Sequence, residues 1–193
     1  MLFKFFGIFF LVAACEILAP RRPSTISKAS RWFANLVIVG LNPLSARLMF
    51  PILPVALAVV AAERQWGLLN NVGLPYWVEV AVGMMALDFS ILLQHVLHHA
   101  VPALWRLHMV HHADLDYDLT TGLRFHPLAI VVSMGMKLLA VAALGPPALA
   151  VLCFEVALNA TSMFNHSNIH VPERIDRILR LCIVTPDMHR VHH

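Results

Sequence analysis

Charged residues are scarce in this chain of 193 residues, because Asp, Glu, Lys and Arg together make up only 13% of it. Soluble domains carry about 25% charged residues. Hydrophobic residues make up 59% of the sequence, and the mean hydropathy is +0.73. These values exclude a disordered chain and an ordinary soluble domain. They indicate an integral membrane protein, and the length suits one domain.

Cysteine is also rare. Cys15, Cys153 and Cys182 lie far apart, and none of them belongs to a CxxC pair. This excludes a disulfide-stapled module and gives no sign of a thiolate redox or zinc device. The net charge is +3, but the basic residues lie at the ends of apolar runs, without the basic stripe of a nucleic-acid-binding protein. We therefore expect membrane lipid around the chain and no nucleic-acid partner.

Long apolar runs predict a bundle of transmembrane helices. Residues 2–19 lie at the short end of the length that a spanning helix needs, and we interpret them as an uncleaved helix. A cleaved secretory signal, or a lipoprotein signal that ends at Cys15, is the alternative. Residues 32–62 contain three prolines and predict either one bent span or an interfacial helix followed by a span near 48–62. Further helices are predicted over 77–94, 127–144 and 148–165.

The last two predicted helices are joined by Gly145-Pro146-Pro147, which ends one helix and starts the next. Such a hairpin returns the chain to the side it left, so residues 95–126 and 166–193 are expected on one face of the membrane. Both of these segments, and the linker over 20–31, are rich in basic residues. By the positive-inside rule, this face is predicted to be cytoplasmic.

Histidine is absent before His95, although the chain contains 12 histidines. HxxxH spacing occurs at 95–99 and 166–170, and HxxHH occurs at 108–112 and 189–193. Residues three and four apart share one face of a helix. One histidine at a membrane interface is usually an ordinary polar residue. Clustered neutral imidazoles need partners, which a metal ion supplies, so the set predicts a metal site.

The number of histidines is too large for one ion and suits two. Imidazole ligands suit Zn, Cu, Fe and Ni. The absence of thiolates from the clusters argues against a structural zinc or an iron–sulfur site. Haem held by two histidines would place them within the bilayer rather than at its boundary. A dinuclear iron site is the best chemical fit, and dinuclear zinc is the alternative.

Four segments carry a family resemblance. They are Trp-Arg-Leu-His-Met-Val-His-His at 105–112, Arg-Phe-His-Pro at 124–127, Phe-Asn-His-Ser-Asn at 164–168 and Thr-Pro-Asp-Met-His-Arg-Val-His-His at 185–193. In this order they resemble the fatty acid hydroxylase / sterol desaturase superfamily of membrane-bound, histidine-box di-iron oxygenases. The resemblance implies an all-α, polytopic transmembrane bundle with a histidine-rich dimetal site on its cytosolic face. We expect an N-terminal membrane helix and basic linker at 1–31 and a hydroxylase-like catalytic domain at 32–193.

The resemblance also implies an activity and its partners. The expected enzyme is an oxidoreductase that uses dioxygen and two iron ions to hydroxylate or desaturate a sterol or fatty acyl lipid. The sequence has no flavin, haem or iron–sulfur motif, so a separate protein is expected to donate the electrons. The implied metal ligands are His95, His99, His108, His111, His112, His166, His170, His189, His192 and His193.

Other polar residues are candidates for hydrogen bonds to these ligands. Glu155 and Asn159 share a stripe with His166 on one predicted helix, and Asp88 lies two turns before His95. Each would fix the tautomer of a ligating histidine, or would only join two helices of the bundle. His126 is a further candidate near the site.

Two alternatives to an active enzyme remain. Members of the superfamily usually continue past the third histidine box, whereas this sequence stops at His193, so the domain is expected to be truncated. An inactive truncated fragment is therefore one alternative. A metal-transporting membrane protein is the other, and it would need ionisable residues at mid-membrane on several helices.

An acidic segment at Asp114, Asp116 and Asp118 imitates the start of a calcium-binding loop. Leu119 stands where such a loop needs glycine for its sharp turn. We therefore predict a solvated acidic loop at this position.

Overall fold

The computed structural model describes residues 2–114 and 116–193. These residues form nine α-helices and no β-strand, which confirms the prediction of an all-α protein. The helices are α1 (Leu2–Leu18), α2 (Lys28–Met49), α3 (Pro54–Glu63), α4 (Tyr76–Ala100), α5 (Pro102–His112), α6 (Pro127–Leu144), α7 (Ala148–Asn165), α8 (Glu173–Leu179) and α9 (Pro186–His192).

Four stretches are long and apolar enough to cross a membrane. They are Lys28–Glu63, which combines α2 and α3, and the helices α4, α6 and α7. The apolar part of α1, Phe5–Leu18, is shorter. The polytopic helical architecture predicted from the apolar runs is therefore confirmed.

Pro43 lies inside α2, and the break within the stretch predicted at 32–62 comes between Met49 and Pro54. One helix boundary differs from the sequence prediction. The helix predicted over 77–94 extends further, because α4 continues to Ala100. It ends only where Val101, which precedes Pro102, becomes extended, because the residue before a proline disfavours the helical conformation. The HxxxH segment at 95–99 therefore lies on a helix.

The chain divides into two compact units. Unit 1 comprises Met1–Leu41, Met109–Phe125 and Val156–His193, and unit 2 comprises Asn42–His108 and His126–Glu155. In unit 1, one face of α1 packs on residues of the 119–123 segment and of α7. This core consists of Phe9, Val12, Ala13, Leu119, Leu123 and Met163.

In unit 2, the predicted hairpin turn is present. Gly145 ends α6 in the left-handed conformation, with φ of 62°. Its backbone is so close to Gly67 that a Cβ atom on Gly67 would lie 2.3 Å from the Gly145 nitrogen. Glycine is needed at both positions because φ is positive at each, 86° at Gly67 and 62° at Gly145, and because each leaves no room for a Cβ atom.

The prediction of a solvated acidic loop is wrong. In unit 1, the Asp118 side chain is buried and forms a 2.9 Å ion pair with Arg31, which also pairs with Asp114 at 3.0 Å. Asp116 accepts hydrogen bonds from the backbone N–H groups of Thr25 and Ile26. The three carboxylates therefore bind the N-terminal part of the chain, and spacing within the loop gave no sign of partners so distant in sequence.

Candidate metal centre

Four histidines of unit 1 bring their rings together. His111 is on the last turn of α5, His166 directly follows α7, His189 is in α9 and His193 follows α9. Each offers one ring nitrogen, and these nitrogens all lie within 4.8 Å of one another. We call these residues the four-histidine group. Spacing along the sequence predicted each HxxxH or HxxHH segment separately. The fold brings histidines from three of these segments together.

Hydrogen bonds to backbone carbonyls fix two of these rings. His111 Nδ1 lies 3.0 Å from the Thr121 carbonyl oxygen, and His166 Nδ1 lies 2.7 Å from the Ser162 carbonyl oxygen. A carbonyl oxygen can only accept, so both Nδ1 atoms carry the proton and donate it. In a neutral ring, Nε2 then presents a lone pair. This is the hydrogen-bonding pattern of histidines that ligate a metal.

The Nε2 atoms of three of these rings lie close together. His166 Nε2 lies 3.0 Å from His111 Nε2 and 2.9 Å from His189 Nε2. Burial and the neighbouring His189 hold the pKa of His166 well below its usual value. Burial and the nearby His192 and His112 lower the pKa of His189 to about 4. At neutral pH these imidazoles are uncharged, and converging uncharged nitrogens fit a bound cation.

The other predicted ligands of unit 1 differ in their positions. His112 stacks on His193 with ring centroids 4.2 Å apart, and its centroid lies 5.0 Å from that of His192. His170 is exposed, and it is outside the groups of close histidines found among the described residues. Its backbone N–H donates to the Ala19 carbonyl at 2.9 Å. The fold therefore gathers His112 and His192 beside the four-histidine group but not His170.

Three histidines of unit 2 form a second cluster, the three-histidine group. His95 and His99 are one turn apart on α4, with ring centroids 4.8 Å apart. The buried ring of His108, on α5, lies 5.0 Å from the His95 centroid and 4.9 Å from that of His99. Both groups consist of imidazole alone, which suits iron or zinc. Of the two, the four-histidine group is the one whose members bring a ring nitrogen each within 4.8 Å of one another.

His98 lies on the same turn of α4 as His95 and His99. Its Nδ1 donates to the Gln94 carbonyl at 2.8 Å, which ties the ring to its own helix. Its centroid lies 5.4 Å from that of His108.

The residues predicted to support the ligands lie in several environments. His126 caps α6, because its Nδ1 accepts from the Leu128 N–H at 3.1 Å. Glu155 is buried and pairs with Lys137 at 3.5 Å within unit 2. Asn159 is half-buried on α7, and Asp88 is exposed on α4. These positions indicate helix-capping and helix-pairing contacts for His126 and Glu155.

Gly122 is a site residue that sequence reasoning missed. A Cβ atom there would lie 2.7 Å from the Ser162 carbonyl oxygen and 2.9 Å from His166 Nδ1, closer than real contacts allow. Gly122 therefore makes room for the His166 ring and its hydrogen bond. The signal available in the sequence was Thr120-Thr121-Gly122, just before the Arg-Phe-His-Pro segment, but its role depends on a partner that lies in α7.

Comparisons with known proteins identify the family. A model of the fatty acid hydroxylase family matches residues 80–193, which include all the predicted metal ligands. The chain is 27% identical over 120 residues to the ornithine lipid hydroxylase OlsE of Rhizobium tropici, a match that covers 62% of this chain but only 35% of that relative. No solved structure matches. Since the family match covers more than half of the sequence, the chain belongs to the fatty acid hydroxylase family.

Proposed function

We propose that this protein is a membrane-bound di-iron oxidoreductase that hydroxylates a lipid with dioxygen. The observation that carries the proposal is the close approach of the His111, His166 and His189 Nε2 atoms, 3.0 and 2.9 Å apart. When bound, iron would supply the activation of dioxygen and the removal of hydrogen from an unactivated C–H bond. Dinuclear zinc is the alternative metal content. The matched family and the Rhizobium tropici relative are both named as hydroxylases, which favours hydroxylation over desaturation.

Different residues of the chain would bind the two metal ions, orient the ligands and exclude water. The four-histidine group would hold one ion, and the three-histidine group would hold another. The carbonyls of Thr121 and Ser162 keep the proton on Nδ1 of His111 and His166, so that a neutral ring would present the lone pair of Nε2 to the metal. Burial of His111 and His166 keeps water from their rings. Electrons would come from a separate donor protein.

A groove in unit 2 supports a lipid as the substrate. It lies between α4 and α6, two of the apolar helices long enough to span a membrane, and has a volume of about 300 Å³. Its walls are mostly apolar, and they include Gln94, the residue before His95. An acyl chain would enter this groove sideways from the bilayer, because both helices are apolar and long enough to span it. The name of the relative suggests ornithine lipid as a first substrate to test.

The membrane topology is also part of the proposal. We infer that the histidine groups face the cytoplasm, because the segments that carry them are rich in arginine. The histidines lie at the end of α4, on the short helices α5 and α9, and just after α7. A metal transporter would need ligands in the middle of several spans, so these positions favour an enzyme.

Metal analysis combined with product analysis tests the proposed function. Purified protein loaded anaerobically with iron is expected to retain about two ions per chain. With a reductant, ¹⁸O₂ and vesicles that contain ornithine lipid or phospholipid, mass spectrometry is expected to find one ¹⁸O atom in a lipid product. Zinc-loaded protein is the control and should give no product, because zinc has no redox chemistry. Retention of much less than one ion per chain would contradict the proposal.

A bulky side chain in the groove should impair lipid turnover without removing metal. Ala140 lines the groove, whereas Ala143 is exposed on the same helix outside it. We expect Ala140→Phe to lower kcat/KM for a long-chain lipid by about tenfold or more, because the ring occupies space that the acyl chain needs. Ala143→Phe is the matched control and should have little effect, and neither variant should change iron content. Equal effects of the two variants would exclude the groove as the lipid site.

A further inference from the structure

Two buried charged residues near the N-terminus lie outside the segment that matches the family. Glu16 on α1 is 1% exposed and Arg31 on α2 is 8% exposed, and the family match begins only at residue 80. We propose that Glu16 and Arg31 are positioning residues that hold the backbone segments orienting His111 and His166. This inference rests on the proposed metal-binding function of the four-histidine group.

Arg31 clamps the acidic segment that follows α5. Its Nη2 and Nε atoms donate to the two carboxylate oxygens of Asp114, each at 3.0 Å, and its Nη1 donates to Asp118 Oδ2 at 2.9 Å. The planar guanidinium fork binds a carboxylate through two parallel hydrogen bonds, which fixes direction as well as distance. Arg31 therefore sets the separation of the Asp114 and Asp118 carboxylates.

The clamped carboxylates hold the residue that orients His111. The Thr121 hydroxyl donates to Asp114 Oδ2 at 2.7 Å and accepts from the Asp118 N–H at 3.1 Å. The carbonyl of the same residue, Thr121, accepts the proton of His111 Nδ1 at 3.0 Å. A continuous set of hydrogen bonds thus runs from Arg31 through Asp114 and Thr121 to the His111 ring.

Glu16 joins this turn to the segment that carries His166. Its Oε1 atom accepts from the Leu119 N–H at 2.9 Å and from the Asn168 N–H at 2.5 Å. Leu119 lies in the turn that Arg31 clamps, and Asn168 is two residues after His166. Because both N–H groups share one carboxylate oxygen, Glu16 fixes the distance between the two segments. His111 and His166 are thereby held with their Nε2 atoms 3.0 Å apart.

Cobalt binding to the metal-free protein tests the role of Arg31. Arg31→Lys keeps the positive charge but loses the fork. We expect it to weaken Co²⁺ affinity by about 10- to 100-fold, the usual loss when a group that orients a ligand is removed, and to change the visible spectrum of bound Co²⁺. Arg47→Lys is the matched control, since Arg47 is exposed on α2, and should leave both unchanged. Helical circular dichroism and thermal unfolding in detergent identify variants that do not fold.

A second variant tests the same link with a smaller change. Thr121→Val removes the hydroxyl that donates to Asp114 and accepts from the Asp118 N–H, and it leaves both partners of the Arg31 ion pairs in the chain. It is expected to weaken Co²⁺ binding in the same way and to change the same spectrum. If Arg31→Lys does not fold, Thr121→Val decides the outcome. Wild-type affinity and spectrum in the folded variants would overturn the role of Arg31.

Two substitutions of Glu16 separate its acceptor oxygen from its charge. Glu16→Gln keeps an oxygen that can accept both N–H groups, whereas Glu16→Leu has none. We expect Glu16→Leu to weaken Co²⁺ binding by about 10- to 100-fold, and we expect Glu16→Gln to restore affinity to near that of the wild type. Equal affinities of the folded Leu variant and the wild type would overturn the role of Glu16. If the Leu variant does not fold, loss of affinity in folded Glu16→Gln would overturn the acceptor role, and retained affinity would support it.

The wild-type titration separates this inference from the proposed function. A wild-type chain that binds neither Co²⁺ nor Fe²⁺ would refute the metal site itself. A wild-type chain that binds metal, with folded variants that bind it equally well, would refute only the positioning roles of Glu16 and Arg31.

Discussion

His166→Ala is expected to remove one of the two proposed iron ions and to reduce lipid hydroxylation to background. His166 occupies the centre of the four-histidine group, because its Nε2 lies within 3.0 Å of the Nε2 atoms of both His111 and His189. Without His166, the group lacks the nitrogen that is close to both the His111 and the His189 nitrogens. Iron content should fall from about two ions per chain to about one. Elemental analysis and lipid mass spectrometry on the same samples measure both effects.

His170→Ala is the matched control for this experiment. His170 has the same chemistry and lies four residues later, but its side chain is exposed and outside the group. We expect its replacement to leave iron content and activity at wild-type values. Loss of iron in His170→Ala would restore the ligand role that the sequence resemblance implies for it. A His166→Ala protein that keeps both ions and its activity would exclude the four-histidine group as a metal site.

Properties that depend on neighbours in sequence were predictable. Apolar runs predicted the spanning helices, because the length and hydrophobicity of a span are local quantities. Gly145 with its following prolines likewise predicted the hairpin turn. The three prolines of residues 32–62 left open whether that stretch bends or divides in two, because a helix can continue through a proline when other contacts hold it, as α2 does at Pro43. The end of α4 was placed too early because histidines mark a change in polarity but not the end of a helix.

The metal site was predictable only in part, for the same reason. HxxxH and HxxHH spacing identified the imidazoles, because residues three and four apart share a helix face. The groups that orient those imidazoles come from distant parts of the chain. Arg31 and Asp118 are 87 residues apart, and Glu16 and Leu119 are 103 residues apart. No local pattern connects such pairs, so the acidic segment was misread as a solvated loop.

His108→Ala is expected to remove the other proposed ion and to leave the four-histidine group loaded. The buried His108 ring lies within 5.0 Å of both His95 and His99, so it is the member of the three-histidine group that connects α5 to α4. We expect about one iron ion per chain and activity at background, because a two-metal mechanism fails when either ion is lost. Iron content and ¹⁸O incorporation measure the two effects separately.

His98→Ala provides the comparison for His108→Ala within the same unit. His98 is equally buried, but its Nδ1 donates to the Gln94 carbonyl, and its ring lies 5.4 Å from that of His108. Its replacement is expected to leave two ions per chain. If His108→Ala retained both ions, or if the protein with one ion kept full activity, the three-histidine group would not be part of the catalytic metal centre. Since each histidine group is altered alone, His166→Ala and His108→Ala together distinguish two required ions from one required ion with a second, dispensable one.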